Sequence, residues 1–310
     1  VISVPDAYRW FADGDARGVY REWAAGVADD PLVAARIGEL VGVKRQPQLV
    51  FATARWLGAP VGSFPEFRDW LLANWPSLGD AVRTRRNQTN EPRRCAVLLP
   101  LLAALPQPIA LLEVGASAGL CLLPDRYGYA YGDHVLPGPL VFPCDPHGPV
   151  PLPTRLPEVV WRAGIDLHPL DVRSAADRDW LRCLVWPGED ERLAHLDAAL
   201  EIATADPPRV VQGDVVDDLP ALAREAPADA TLVVVHNAVL IYLDDDRRRT
   251  FAATVRSLDA RWIAYEGSTV VPSGIAGPVP ALRPPRTFFV AAQGVPVATA
   301  DSYGREVEWL

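Results

Sequence analysis

Leu111-Leu112-Glu113-Val114-Gly115-Ala116-Ser117-Ala118-Gly119-Leu120 is the stretch on which the fold turns. The apolar run from Ile109 to Val114 reads as a short buried strand. A glycine-rich turn follows, and then the start of an apolar helix. Strand, tight turn and helix in that order form the unit with which doubly wound α/β folds hold a nucleotide-like cofactor. Gly115 permits the sharp exit from the strand, and Gly119 lets the helix pack close to the sheet. The residues between them bring backbone near a ligand. Glu113 is unexpected, because an ionised carboxylate in a buried strand needs a partner or a task.

The same letters spell Gly115-x-Ser117-x-Gly119, the nucleophile elbow of α/β-hydrolases, which is also a strand, turn and helix. The decapeptide thus leaves three readings open: cofactor-binding transferase, serine hydrolase, and a glycine-rich turn with no ligand.

Composition narrows the field. The chain has 310 residues and 49% hydrophobic content, enough for a large core and for one extended domain or two. A net charge of −9 argues against duplex nucleic acid, whose partners carry basic surfaces. Lys44 is the only lysine, and with the excess of alanine and proline this suggests a GC-rich bacterial genome. Cys95, Cys121, Cys144 and Cys183 are scattered, with no C-x-x-C and no histidine at ligand spacing. Reduced, buried thiols are expected, and no metal site. Pro100 and Pro106 interrupt the most apolar run, and the first residues hold Asp6, Arg9, Asp13 and Asp15 with no apolar signal core. The expectation is a soluble cytoplasmic protein with no membrane partner.

Residues 1–105 read as helices. Trp10, Val19, Trp23 and Val27 recur near helical spacing. Asp30-Pro31 offers an N-cap and a first-turn proline before the face Val33, Ile37, Leu40 and Val41. Ser63 and Glu66 have capping-box spacing before Phe67, Trp70 and Leu71. Five arginines then fall between Arg83 and Arg94, with Asn90 placed to cap a helix from Cys95 to Leu105. That segment is either a solvated basic helix end or a set facing a carboxylate or phosphate.

After residue 106 strands alternate with helices, the mark of a parallel sheet. Tyr127 to Phe142 reads as a β-hairpin insertion, followed by a proline-rich connector to Pro157. Val159 to Ile165 is a second strand ending at Asp166. An acid there can hold ribose hydroxyls, although it lies beyond the usual separation of about 20 residues from the turn. Asp171 is the alternative acid. Ser174 and Asp177 open a helix through Leu184, and another spans Asp190 to Ala203. Arg209 to Gln212 is a third strand tipped by Gly213-Asp214. Asp214 either meets a base or amine of the cofactor or caps Leu219 to Ala223. Thr231 to Val235 is a fourth strand, and His236-Asn237 follow at the edge where α/β folds place ligands. Asp244 to Leu258 is an amphipathic helix, and Arg261 to Tyr265 a fifth strand ending at Glu266. Thr287 to Gln293, Gly294-Val295-Pro296 and Arg305 to Leu310 suggest a terminal β-hairpin.

This order resembles class I S-adenosylmethionine-dependent methyltransferases, whose sheet ends in an antiparallel hairpin. More closely, the chain resembles a bacterial domain-of-unknown-function family with a methyltransferase-like, Rossmann-like core. The resemblance rests on Thr89-Asn90-Glu91-x-x-Arg94, Leu111–Leu123, Pro124-Asp125-Arg126-Tyr127-Gly128-Tyr129, Gly164-x-Asp166-x-x-Pro169-x-Asp171, Gly213-Asp214 and Trp309-Leu310. It implies that Glu113, Gly115, Ser117 and Gly119 line the methionine part and ribose of the cofactor. Asp166 would hold the ribose, Asp214 would meet the adenine amine, and His236-Asn237 would stand where the methyl is presented. Ser117 replaces a glycine of the commoner pattern, and no Asn-Pro-Pro-Tyr motif follows strand four.

The expectation is therefore an α/β protein. A helical cap domain, 1–105, precedes a Rossmann-like methyltransferase-type domain, 106–310, with an insertion near 125–157. Asn90, Glu91 and Arg94 would add a wall to the cofactor site. His236 and Asn237 would act on a small-molecule acceptor, His236 as a base where the nucleophile is protonated. The alternatives are a non-catalytic cofactor-binding protein on the same fold, or a hydrolase using Ser117, Asp214 and His236 in that chain order.

Overall fold

Local chemistry sets the helices at the start of the chain: α1 (Val4–Asp13), α2 (Gly18–Asp29), α3 (Pro31–Gly38), α4 (Pro47–Trp56) and α5 (Phe64–Thr84). The structure, a computed structural model, describes residues 2–14, 16–267, 270 and 287–310. Asp30 accepts from the amides of Leu32 and Val33 to open α3, and Ser63 and Glu66 form the capping box of α5. The apolar faces meet in an aromatic core in which Trp23 stacks on Phe67 at 4.0 Å and Tyr8, Tyr20 and Phe51 fill the gaps.

The next helix, α6 (Arg94–Ala104), has no polar face: nearly every residue in it is buried. A helix apolar all round belongs inside a core. It leads into β1 (Ile109–Val114), buried along its whole length. Then come β2 (Gly128–Tyr131), β3 (His134–Leu136), β4 (Val141–Pro143), β5 (Asp145–His147) and β6 (Val159–Asp166). Helices α7 (Ala175–Leu184) and α8 (Asp190–Ala205) precede β7 (Val210–Gln212), α9 (Leu219–Ala223), β8 (Thr231–Asn237) and α10 (Asp245–Ser257). The chain closes with β9 (Arg261–Gly267), β10 (Phe288–Ala292), β11 (Val295–Ala300) and β12 (Glu306–Trp309).

Nine of these strands form one mixed sheet, in the order β5-β12-β11-β10-β9-β8-β1-β6-β7. The segment β7-β6-β1-β8-β9 is parallel. From β9 to β12 pairing is antiparallel, so the expected terminal hairpin is β10 and β11, extended by β12, and β5 adds parallel to β12 at the edge. The insertion makes its own small sheet: the β2–β3 hairpin with β4 parallel to β2. Chain order reverses between β1 and β8, and open α/β sheets place ligands outside the carboxyl ends of their strands at such a point. One face of the sheet packs Leu112, Val114, Ile165 and Val234 against Leu219, Phe251 and Val255 from α9 and α10.

By contact the chain forms two compact units, Val1–Thr89 with Ser174–Asp197, and Asn90–Arg173 with Ala198–Leu310. Their boundary lies ahead of α6 rather than at 105, because α6 is a core helix of the second unit. The first unit takes back α7, which packs on α4; there Arg55 donates to the carbonyls of Cys183 and Val185. The four cysteines are free thiols. Among the described residues no helix is long and apolar enough to cross a membrane, and no cluster is placed to hold a metal.

Candidate functional site

Strand alternation decides which side chains reach the carboxyl edge together. Glu113 lies level with Gly164 of β6 and Val235 of β8, and Leu112 and Val114 point to the opposite, apolar face. Asp166 and Asn237, each two residues further on, share Glu113's face. Asn237 Nδ2 donates to Glu113 Oε1 at 2.9 Å. Glu113 is only 1% exposed, and burial pushes its carboxyl up to about 8, against the pull of Asn237 and of the Arg94 charge. The other two oxygens of the pair, Glu113 Oε2 and Asn237 Oδ1, are buried acceptors with no hydrogen-bond donor.

The segment before α6 joins this edge. Asn90 Oδ1 accepts from the amide of Leu120 at 2.9 Å, tying the segment to the glycine turn. The Glu91 carbonyl accepts from the thiol of Cys121, and its carboxylate from the amide of Arg93. Arg94 is buried. Its Nε donates to the Ser302 carbonyl at 2.9 Å and its Nη1 to the Asn237 carbonyl at 3.5 Å. Its guanidinium carbon stands 5.9 Å from the ring centres of Tyr265 and Phe288. Among the described residues Arg94 makes no ion pair with a carboxylate: its hydrogen bonds go to carbonyls, ring faces flank it, and the Glu113 carboxyl feels its charge without pairing with it.

The glycines of the turn are spent on protein. Gly115 has φ +69°, and a Cβ there would lie 1.9 Å from Val239 Cγ2; one on Gly119 would lie 2.8 Å from Pro208 Cγ. Ser117, at φ +54°, donates its amide to Asp166 Oδ2 at 2.8 Å, and Asp166 Oδ1 accepts from the His168 amide. The acid of the second strand therefore touches the turn across a sequence gap that had counted against it. Asp171 does not: it is exposed and pairs with Arg173, which holds its carboxyl below the usual range.

The chain belongs to DUF2332. This family, described as an uncharacterized protein conserved in bacteria, matches residues 5–309. A search of curated proteins finds no match. Membership in DUF2332 spans both units and brings no reaction with it, so chemistry has to be read from side chains.

Two expected site residues in this DUF2332 chain are engaged elsewhere. Asp214 Oδ1 accepts from the amides of Val216 and Asp217 and from the Arg247 guanidinium, so it caps a turn and closes an ion pair. His236 is fully buried on the α10 side of the sheet, edge-on to Phe251. Trp262 Nε1 donates to His236 Nε2 at 2.9 Å, and the indole can only donate. The hydrogen of the ring is therefore on Nδ1, directed at Glu266 Oε1 at 2.6 Å. His236 has no free nitrogen with which to act as a base. His236 is hydrogen-bonded to Trp262 and Glu266, and Asp214 to Val216, Asp217 and Arg247, so the two residues do not bond to each other.

Sequence reading missed what Glu266 does. Its Oε1 also accepts from the amides of Val239 and Leu240 and so pins the loop after β8, while its Oε2 is a buried acceptor with no donor. The loop carries Tyr242, whose hydroxyl lies in the fields of Arg94, Asp166 and Glu266. An acid at a strand end, the feature that singled out Glu113, was present at Glu266 as well. A cleft of about 600 Å³ lies at the opposite edge, lined by Gln107, Thr231, Arg256, Asp259, Arg261 and Trp262. It holds none of the residues expected to bind a cofactor.

Proposed function

We propose that this protein binds S-adenosylmethionine at the carboxyl ends of β1, β6 and β8 and transfers its methyl group to a small-molecule acceptor. One observation carries the reading. Beside the glycine turn stand a buried guanidinium with no carboxylate and a buried carboxyl–amide pair with two acceptors lacking donors. These are the complements of the carboxylate and the ammonium of an α-amino acid, the end that this cofactor carries.

Arg94 would take the carboxylate, Glu113 and Asn237 the ammonium. Asp166 keeps lone pairs for ribose hydroxyls beyond the two amides it already accepts. Asp214 is left out of this reading, because its Oδ1 is engaged by the Arg247 guanidinium and two amides. The bound cofactor supplies a sulfonium methyl group. The chain's contribution is alignment and exclusion of water. With His236 closed off, acceptors that are nucleophilic without deprotonation are favoured. The same fact favours, as a second reading, a non-catalytic cofactor-binding protein.

Titration with S-adenosylhomocysteine tests the assignment. At 100 times its dissociation constant a ligand adds about 2.7 kcal/mol of stability. Arg94→Ala, which loses a charge-assisted bond worth about 1.5–3 kcal/mol, should bind roughly ten- to a hundredfold more weakly while staying folded. No heat and an unmoved melting curve at millimolar ligand would sink the cofactor assignment. Transfer of label from S-adenosylmethionine to extracted small molecules separates enzyme from binding protein.

A further inference from the structure

Glu113 and Asn237 meet through one hydrogen bond, Nδ2 to Oε1, which leaves each side chain with one buried oxygen that accepts and finds no donor. A buried pair of that kind lacks hydrogen. Two sources can supply it. Glu113 can hold its own proton, which turns one of the two acceptors into a donor. A ligand can instead bring an ammonium, whose three N–H groups serve both oxygens. The two are mutually exclusive at Glu113 Oε2, since an oxygen that carries a hydrogen does not accept a charge-assisted bond well.

We infer that the Glu113–Asn237 pair takes the protonated amine of an α-amino-acid ligand in exchange for a proton, which binding releases from Glu113 to solvent. The inference rests on the cofactor site proposed above and names the chemistry by which it recognises its ligand. The exchange balances: the carboxylic acid and the ammonium ion become a carboxylate–ammonium pair and one free proton, and the amine keeps all its hydrogens.

The surroundings agree. The groups that reach Glu113 are Arg94 from α6, Asn237 from β8, Asp166 from the end of β6, and Cys121 and Tyr127 beyond the turn. The Cys121 thiol is pushed up by its hydrogen bond with Cys95 and by burial, and the Tyr127 hydroxyl by burial, so both stay neutral at pH 7. Arg94 is the single cation in the set, and Asp166 works against it. With no ligand, desolvation wins, and a carboxyl that titrates at about 8 is protonated in roughly nine molecules of ten at pH 7. A zwitterionic ligand changes the balance. Its carboxylate answers Arg94, and its ammonium places a cation against Glu113 itself.

Calorimetry on the full chain reads the exchange directly. S-adenosylhomocysteine and, separately, methionine are titrated at pH 7 in phosphate, imidazole and Tris. The slope of observed heat against buffer ionisation enthalpy counts the protons released. The expected count is about 0.9 at pH 7, falling to about 0.5 at pH 8 as the empty site loses its proton beforehand. Glu113→Gln should bind with a slope of zero, and a variant that still releases a proton overturns the assignment to Glu113. S-adenosylhomocysteine that binds with the same heat in every buffer overturns the exchange and leaves the cofactor reading standing. Methionine that binds with proton release while S-adenosylhomocysteine is silent upholds the exchange and overturns the cofactor reading. Silence from both at millimolar concentration overturns both.

Discussion

Gly115→Ala separates a glycine kept for a ligand from one kept for the protein's own packing. The added methyl carbon would start 1.9 Å from Val239 Cγ2 and 3.2 Å from Val239 Cβ, where carbon contacts settle near 3.5–4.0 Å. Val239 has little freedom to retreat. Its amide is held by Glu266 at 3.0 Å, and Ala238 before it is already in the left-handed region at φ +58°. A β-carbon at φ +69° adds roughly 1–2 kcal/mol. Overpacking adds about 1–3 kcal/mol. The expected loss is about 3 kcal/mol, or roughly 6–12 °C in melting temperature for a unit of this size. Chemical denaturation of four proteins measures it: wild type, Gly115→Ala, Val239→Ala and the double variant. In the double variant the overpacking part should disappear and the backbone part remain, a coupling of about 1–3 kcal/mol. A single variant within about 0.5 kcal/mol of wild type, or a cycle with no coupling, would show that the turn has room and that Gly115 serves something other than Val239.

Three further outcomes check the placement of individual residues. His236→Phe should lose about 2–5 kcal/mol, because it strands the Trp262 indole and one partner of Glu266, yet bind S-adenosylhomocysteine as wild type does. A stable variant with tenfold weaker binding would return His236 to the site. Asp214→Ala should cost about 1 kcal/mol as a lost turn cap and leave affinity unchanged; reduced affinity would restore its cofactor role. A fluorophosphonate probe should leave Ser117 unlabelled, since no histidine base is available from His236; labelling that vanishes in Ser117→Ala would revive the hydrolase.

Much of the α/β framework was legible because local signals and burial agree there. The span of β1, the opening of α7 at Ser174, the start of β8 and the limits of α10 follow from apolar runs and capping residues, whereas β8 runs two residues past the expected end at Val235. The role of His236 was not legible, for a physical reason. A strand buried on both faces is apolar at every position, so Thr231 to Val235 shows no alternation to say which side residue 236 takes. The ion pair of Asp214 was hidden for a different reason. Its partner Arg247 is 33 residues away, and a long-range ion pair leaves no local pattern. Asn90 and Arg94 could be brought to the turn because chain continuity limits where α6 can lie. Arg94's contact with Ser302 is 208 residues long and could not be foreseen.

The burial of α6 and β1 has a consequence for the nascent chain. In the native protein both segments are buried, but before the fold closes over them Cys95 to Val114 is a nearly uncharged apolar stretch. Such a stretch, exposed during synthesis, invites strand-to-strand aggregation. Pro100, Pro106 and Pro108 punctuate it at short intervals, and each removes an amide that an intermolecular ladder would need. These prolines act as gatekeepers while the chain is still emerging. Pro100 sits within α6, where proline works against the helix. Replacing Pro100 with alanine should therefore favour that helix and at the same time lower the soluble yield on expression.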